Sequence, residues 1–147
     1  MKKILYIILL LIIFSNFVFA GGIGYIDYEQ IFNNFKLAQK TAKEIQDKEK
    51  YLADLVEYRQ NEYDKLDSPV QKQKFEEAFK KELIQKEKEY ASFREKKEED
   101  VYSKIHAVTE KIRLEKGYDA ILDSRGVFSG GEDITKAVID KLNEHQR

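Results

Sequence analysis

Two histidines, His106 and His145, and three aspartates at the edges of short apolar runs, Asp27, Asp123 and Asp133, are the side chains whose chemistry stands out first. A metal pair would place its histidines a few residues apart or add cysteines between them. Here the two are distant in sequence and the chain has no Cys, so no metal centre is expected and His106 reads as an ordinary helix residue. The three carboxylates would suit acid–base work if folding drew them together, yet each stands where a helix cap or turn favours Asp, which explains it more simply. Gly21-Gly22 and Gly130-Gly131 lack the Gly-Lys-Ser/Thr ending of a phosphate loop, and no nucleophile stands beside a base. The inventory predicts a non-enzyme without a cofactor.

A second set of side chains suits contact rather than reaction. Tyr51, Tyr58, Tyr63, Phe75, Phe79, Tyr90 and Phe93 are spread through a field of Lys and Glu. Such rings can offer apolar area to an unfolded chain while the charges keep the surface hydrated. Several weak contacts on linked arms raise one another's effective concentration, so retention exceeds any single contact by orders of magnitude. The alternative is that Tyr51, Phe75 and Phe79 stitch two helices together, because aromatics at helical spacing are commonly core.

These residues need a scaffold, and its outline comes from pattern. Met1-Lys2-Lys3 is a positive start, Ile4 to Phe14 an unbroken apolar run, and Val18-Phe19-Ala20 a cleavage-site-like end: residues 1–20 read as a secretory signal. A retained anchor needs about 20 apolar residues, and Ser15-Asn16 break a run already short of that. No Cys comes after the apolar run, so lipid attachment there is not expected. Export permits disulfides, but without Cys the stability must come from packing and association.

Beyond the signal the chain reads as one domain, 21–147, of α+β class. Ile23 to Asp27 and Tyr118 to Asp123 have strand character, and between them runs a charged helical stretch, 35–116. Asp27 with Gln30 makes a capping box for a short helix from Tyr28 to about Phe32, and Asn33-Asn34 weakens the helix beyond that point. The first arm carries a narrow seam of Leu37, Thr41, Ile45, Leu52, Leu55 and Leu66 at coiled-coil-like spacing. At Ser68-Pro69 a new helix starts, Ser68 as N-cap with Gln71 at the third helical position, and it ends at Gly117. Val101, Ile105, Val108 and Ile112 form a buried face at its base, whereas Lys86 to Asp100 offers only Tyr90 and Phe93 as large apolar groups. Glu44/Lys48, Glu76/Lys80, Glu77/Lys81, Glu82/Lys86 and Asp100/Lys104 place acid four residues before base and support long exposed helices.

After Gly117 the period changes. Tyr118 to Asp123 predicts a strand, Ser124-Arg125-Gly126 a turn and Val127-Phe128 a returning strand. Asp133 caps a terminal helix with Ile134, Val138 and Leu142 on one face. A sheet this small is not stable alone, so the body, 21–34 and 117–147, is expected to be completed by other copies through Ile23, Tyr25, Ile26, Ile121, Leu122, Val127 and Phe128. The arm mixes basic and acidic residues almost equally, and nucleic-acid binding needs a one-signed basic face, so that function gains little support.

Ile23-Gly24-Tyr25-Ile26-Asp27, the charged hairpin, Gly117-Tyr118-Asp119-Ala120-Ile121-Leu122-Asp123 and Asp133-Ile134-Thr135, in that order, resemble the Skp/OmpH family of periplasmic chaperones over nearly the whole mature chain. The resemblance implies a homotrimer with a central β-body and three helical arms around a cavity for unfolded outer-membrane proteins, working without ATP. It also implies attraction to acidic clients and anionic membrane surfaces. Of the 26 Lys+Arg and 27 Asp+Glu, Lys2 and Lys3 leave with the signal, so the mature chain is slightly acidic and such attraction is expected to be weak. The reading from the residues alone is broader: an exported holdase, or a coiled-coil adaptor that tethers one fixed envelope partner.

Overall fold

The computed structural model describes residues 21–144; the expected signal segment, 1–20, and His145 lie outside the described residues. Along the chain come β1 (Ile23–Ile26), α1 (Tyr28–Asn34), α2 (Lys36–Asp64), α3 (Pro69–Lys116), β2 (Ala120–Asp123), a 3-10 turn (Ser124–Gly126), β3 (Glu132–Asp133) and α4 (Thr135–Glu144). The α+β class and the helical hairpin inserted between two strands are as the sequence pattern predicts.

β1 is the middle strand of a three-stranded sheet in the order β2-β1-β3, parallel on both sides. Ile23 pairs with Ala120 and Ile26 with Asp123, which gives the two strand motifs one register. Parallel neighbours need a long crossover, and α1 to α3 supply it; the arm can therefore be inserted without disturbing the pairing. Gly24 is required for close approach. A Cβ there would stand 3.2 Å from the Tyr118 ring and 3.3 Å from Ile121.

The returning strand falls elsewhere than expected. Val127-Phe128 is not paired; β3 is Glu132–Asp133, opposite Gly24 and Tyr25. To run parallel to β1 the chain must first travel back along the sheet, and the strand-forming pair Val127-Phe128 is spent in that return. Gly130 and Gly131 then turn the chain at φ 84 and 90, and a Cβ on Gly131 would meet the Ile23 carbonyl oxygen at 3.1 Å.

The core lies where α1, the bases of α2 and α3, the sheet and α4 converge. Ile31, Phe35, Ala38, Val101, Ile105, Ile112, Tyr118, Ile134, Val138 and Leu142 are buried there. Three of the four expected base residues of α3 are among them, and Val108 packs half-buried against the same cluster. Burying an aliphatic or aromatic side chain contributes about 1.5–3 kcal/mol, so this cluster is the strongest anchor of the protomer.

Local chemistry sets the joints. The Asp27 carboxylate accepts from the Gln30 N–H at 2.8 Å, as a capping box requires, but the Asp27 N–H donates to Thr135 Oγ1 at 2.9 Å instead of to Gln30. One half of the cap thereby ties α4 to β1. The break between α1 and α2 comes at Phe35, whose extended backbone (φ −87, ψ 114) lets its ring enter the core, later than the expected Asn33-Asn34. Asn143 of α4 bridges that break. Its side chain accepts from the Lys36 N–H at 3.1 Å and donates to the Asn34 carbonyl at 3.0 Å. Asp133 serves the start of α4 by accepting the Thr135 N–H at 2.9 Å.

At the far end α3 begins at Pro69, as expected, but Ser68 makes no side-chain cap bond; only its carbonyl accepts, from Lys72 at 3.0 Å. Gly117 ends α3 in the left-handed region at φ 71, and the Tyr118 N–H reaches back to the Arg113 carbonyl at 3.0 Å. At 48 residues, α3 is on the order of 70 Å long, far beyond what the core touches.

Candidate functional site

The arm beyond the core is held by a half-buried seam and by charges that cross it. After Thr41 no residue of α2 is fully buried, and Ile45, Leu52, Leu55 and Leu66 reach only intermediate burial. Two ion pairs join the helices: Lys97 to Glu44 at 2.5 Å and Arg59 to Glu82 at 2.7 Å. The sequence spacing instead pairs each of these acids with a lysine on its own helix. Of the five expected same-helix pairs only Asp100 with Lys104 forms: Glu44 and Glu82 find partners across the seam, Glu76 bonds Tyr63, Glu77 accepts from Gln73, and the same-helix lysine that Glu44 keeps is Lys40, at 3.9 Å. The Lys97 hydrogen bond holds the Glu44 carboxyl below its ordinary 4.5 against a smaller opposing effect of burial, with the charges of Lys97 and Lys40 adding to it.

The seven candidate contact aromatics of the arm separate into four settings. Tyr51 and Tyr58, at 56% and 57% exposure, project freely. Tyr63, Phe75 and Phe79 gather at the tip, with ring centroids 6.3 Å apart for Tyr63 and Phe75 and 6.5 Å for Phe75 and Phe79. Lys72 lies 4.9 Å from the Tyr63 ring and Arg59 5.9 Å from that of Phe75, so the tip is stitched by rings and cations together. Phe93 lies between Lys48 at 4.8 Å and Lys97 at 5.5 Å, while Tyr90 is half-buried in a cleft at the arm base. The structure therefore brings together the tip rings and leaves Tyr51 and Tyr58 apart from them.

Further apolar groups escaped the seam-based reading. Val56, Val70 and Ile84 are exposed on the arm, as is Tyr102 near its base, where its ring stacks on His106 at 6.1 Å. Their signal was available as apolar residues out of phase with the seam. On the body, Ile23, Leu122 and Phe128 are exposed, Phe128 completely, whereas Tyr25, Ile26, Ile121 and Val127 are half-buried. Leu114, in the last turn of α3, is also 65% exposed. Both outer strands of the sheet have an open edge within the protomer, a condition proteins usually cover.

The strand register brings Asp27, Asp123 and Asp133 to the same end of the sheet, Asp123 opposite Ile26 and Asp133 opposite Tyr25, and each has a structural partner there. Asp27 caps α1, Asp133 caps α4, and Asp123 is bound by the Arg125 guanidinium, which lowers its pKa through a side-chain hydrogen bond reinforced by the Arg125 N–H. Among the described residues no three His, Asp or Glu side chains gather in a way that could hold a metal ion. None of the helices in the described residues is long and apolar enough to cross a membrane.

Fold and surface together define an arm-bearing α+β protein: a small body with open sheet edges that carries a long hairpin with exposed rings. Residues 22–142 match the family model described as Outer membrane protein (OmpH-like), and the chain belongs to that family. The fold is similar to that of a crystal structure from Caulobacter crescentus CB15, a candidate outer membrane chaperone (OmpH-like). Identity is 14% and the TM-score 0.51, over 85% of this chain and 85% of that chain. No curated protein matches the chain.

Proposed function

We propose that this protein is an ATP-independent periplasmic holdase: three copies join through their bodies, and their arms enclose unfolded outer-membrane proteins and keep them from aggregating. What carries this reading is the arm itself. It extends well past the core, is held by a half-buried seam, and exposes Tyr51, Tyr58, Val70 and Ile84 among charges. A helix pair built only for rigidity would turn such groups inward. Membership of the OmpH-like family supports the same reading, and so does the open-edged body, which suits association with further copies.

The test is a light-scattering assay in which a denatured β-barrel protein is diluted into buffer with and without the mature chain. Scattering is expected to be suppressed in proportion to the amount of the chain. Unchanged aggregation in its excess would overturn the reading. Crosslinking in cells distinguishes a holdase, with many unrelated outer-membrane partners, from an adaptor with a single recurrent one.

A further inference from the structure

At the root of the arm, between α1 and the facing stretches of α2 and α3, lies an open cleft of about 990 Å³. Its lining is apolar and aromatic, with Phe32, Ile45 and Val101 beside the half-buried rings of Tyr28 and Tyr90, and with the exposed ring of Tyr102, stacked on His106, among the lining residues. Its rim is acidic. Glu49, Glu95, Glu98 and Glu99 line it, and the one basic lining residue, Arg94, is already paired with Glu98 at 3.0 Å. Glu99 accepts from Ser103 Oγ at 3.0 Å, while Glu49 and Glu95 have no partner among the described residues.

Elsewhere the chain satisfies the same combination with its own lysines. Lys48 and Lys97 lie over Phe93, with Lys97 also bound to Glu44, and Lys72 lies over Tyr63. In each case the ring takes a cation on its face and, for Lys97, a carboxylate takes the same ammonium. The cleft repeats rings and carboxylates, yet no lysine or arginine of the described chain lies over Tyr28, Tyr90 or Tyr102.

We propose that this cleft is a binding site for an extended client segment in which an apolar or aromatic residue adjoins Lys or Arg. The apolar residue rests on Phe32 and Ile45, the alkyl stem of the basic side chain lies along the tyrosine rings, and its head meets Glu49 and Glu95. The proposal rests on the holdase reading and refines it. The arm as a whole is nearly neutral, so charge selection is confined to this root, and basic segments are held more tightly than acidic ones.

The test uses the full mature protein and two labelled unstructured peptides, one alternating Tyr and Lys and the other alternating Tyr and Glu, in an anisotropy titration. The Tyr-Lys peptide is expected to bind roughly tenfold more tightly at low salt, as two charge contacts of modest strength would give. The double substitution Glu49→Gln with Glu95→Gln, both on solvated helix surface, is expected to remove most of that ratio while circular dichroism stays unchanged. Carbodiimide, which joins a carboxylate to a lysine amine as an amide with loss of water, is expected to link the peptide to Glu49 or Glu95. Equal binding of the two peptides, or a ratio untouched by the double substitution, overturns the proposal. So does a chain-to-chain link at these carboxylates in place of the peptide, which would make a second copy the occupant. If scattering is suppressed but the peptides are not distinguished, the cleft proposal fails and the holdase reading stands; if neither client nor peptide is held, both fail.

Discussion

At the scale of single residues, the aromatics of the arm are not one class. Tyr51 and Tyr58 lose little water in the protomer, so truncating them removes contact area that only a partner could use. Tyr51→Ala with Tyr58→Ala is expected to leave urea unfolding within about 0.5 kcal/mol of the parent, as for most surface changes, and to weaken suppression of aggregation. Phe75 instead packs between Tyr63 and Phe79 under Arg59. Its burial is partial, so Phe75→Ala is expected to cost about 1–2 kcal/mol, less than the ~3–5 for a fully buried Phe. Hydrogen exchange at the tip would read this as lost protection; unchanged protection would return Phe75 to the client surface. Neither outcome was readable from spacing, since Tyr51 and Phe75 are both rings in a polar field and differ only in what faces them.

At the scale of elements, the two arm helices are joined by partial burial and by Lys97–Glu44 and Arg59–Glu82. This gives the arm a pH dependence of definite sign. Glu44 has a folded-state pKa below 4.5, so the stabilisation from its pair is fully present above that value and is lost as pH falls through the folded pKa. The arm is therefore expected to lose its helicity at lower urea below pH 4.5 than at neutral pH. Glu44→Gln is expected to shrink that difference, and an undiminished difference in the variant would assign the acid sensitivity to other carboxylates. Because both partners of the pair remain partly in water, high salt is expected to act in the same direction as acid. The base adds an apolar anchor that the tip lacks: Val101, Ile105 and Ile112 are buried in the core and carry no titrating group.

At the scale of the whole molecule, the protomer leaves its body unfinished. Its sheet has two open edges, and Ile23, Leu122 and Phe128 are exposed on the body, with Leu114 exposed in the last turn of α3. Exposed apolar groups beside unpaired strand edges are what a further copy would cover. Native mass spectrometry is expected to give three mature chains, and Leu122→Asp with Phe128→Asp is expected to give single chains of unchanged helicity. A parent protein that is itself a single chain would remove the cavity from the proposed mechanism, leaving the arm to act alone.

Much of this architecture was determined by the sequence alone. The strand pair, the hairpin, the restart at Pro69, the stop at Gly117 and the buried faces of α3 and α4 come from signals carried within a few residues: caps, fixed dihedrals and apolar period. What only the tertiary structure decided depends on which distant surfaces meet. β3 falls at Glu132–Asp133 because the chain must return along the sheet before it can pair in parallel. Phe35 breaks the first helix because the core takes its ring, and Glu44 and Glu82 reach across to cations on the facing helix. The acidic, tyrosine-lined cleft belongs to this second group, since its walls come from three helices and no one of them carries its pattern.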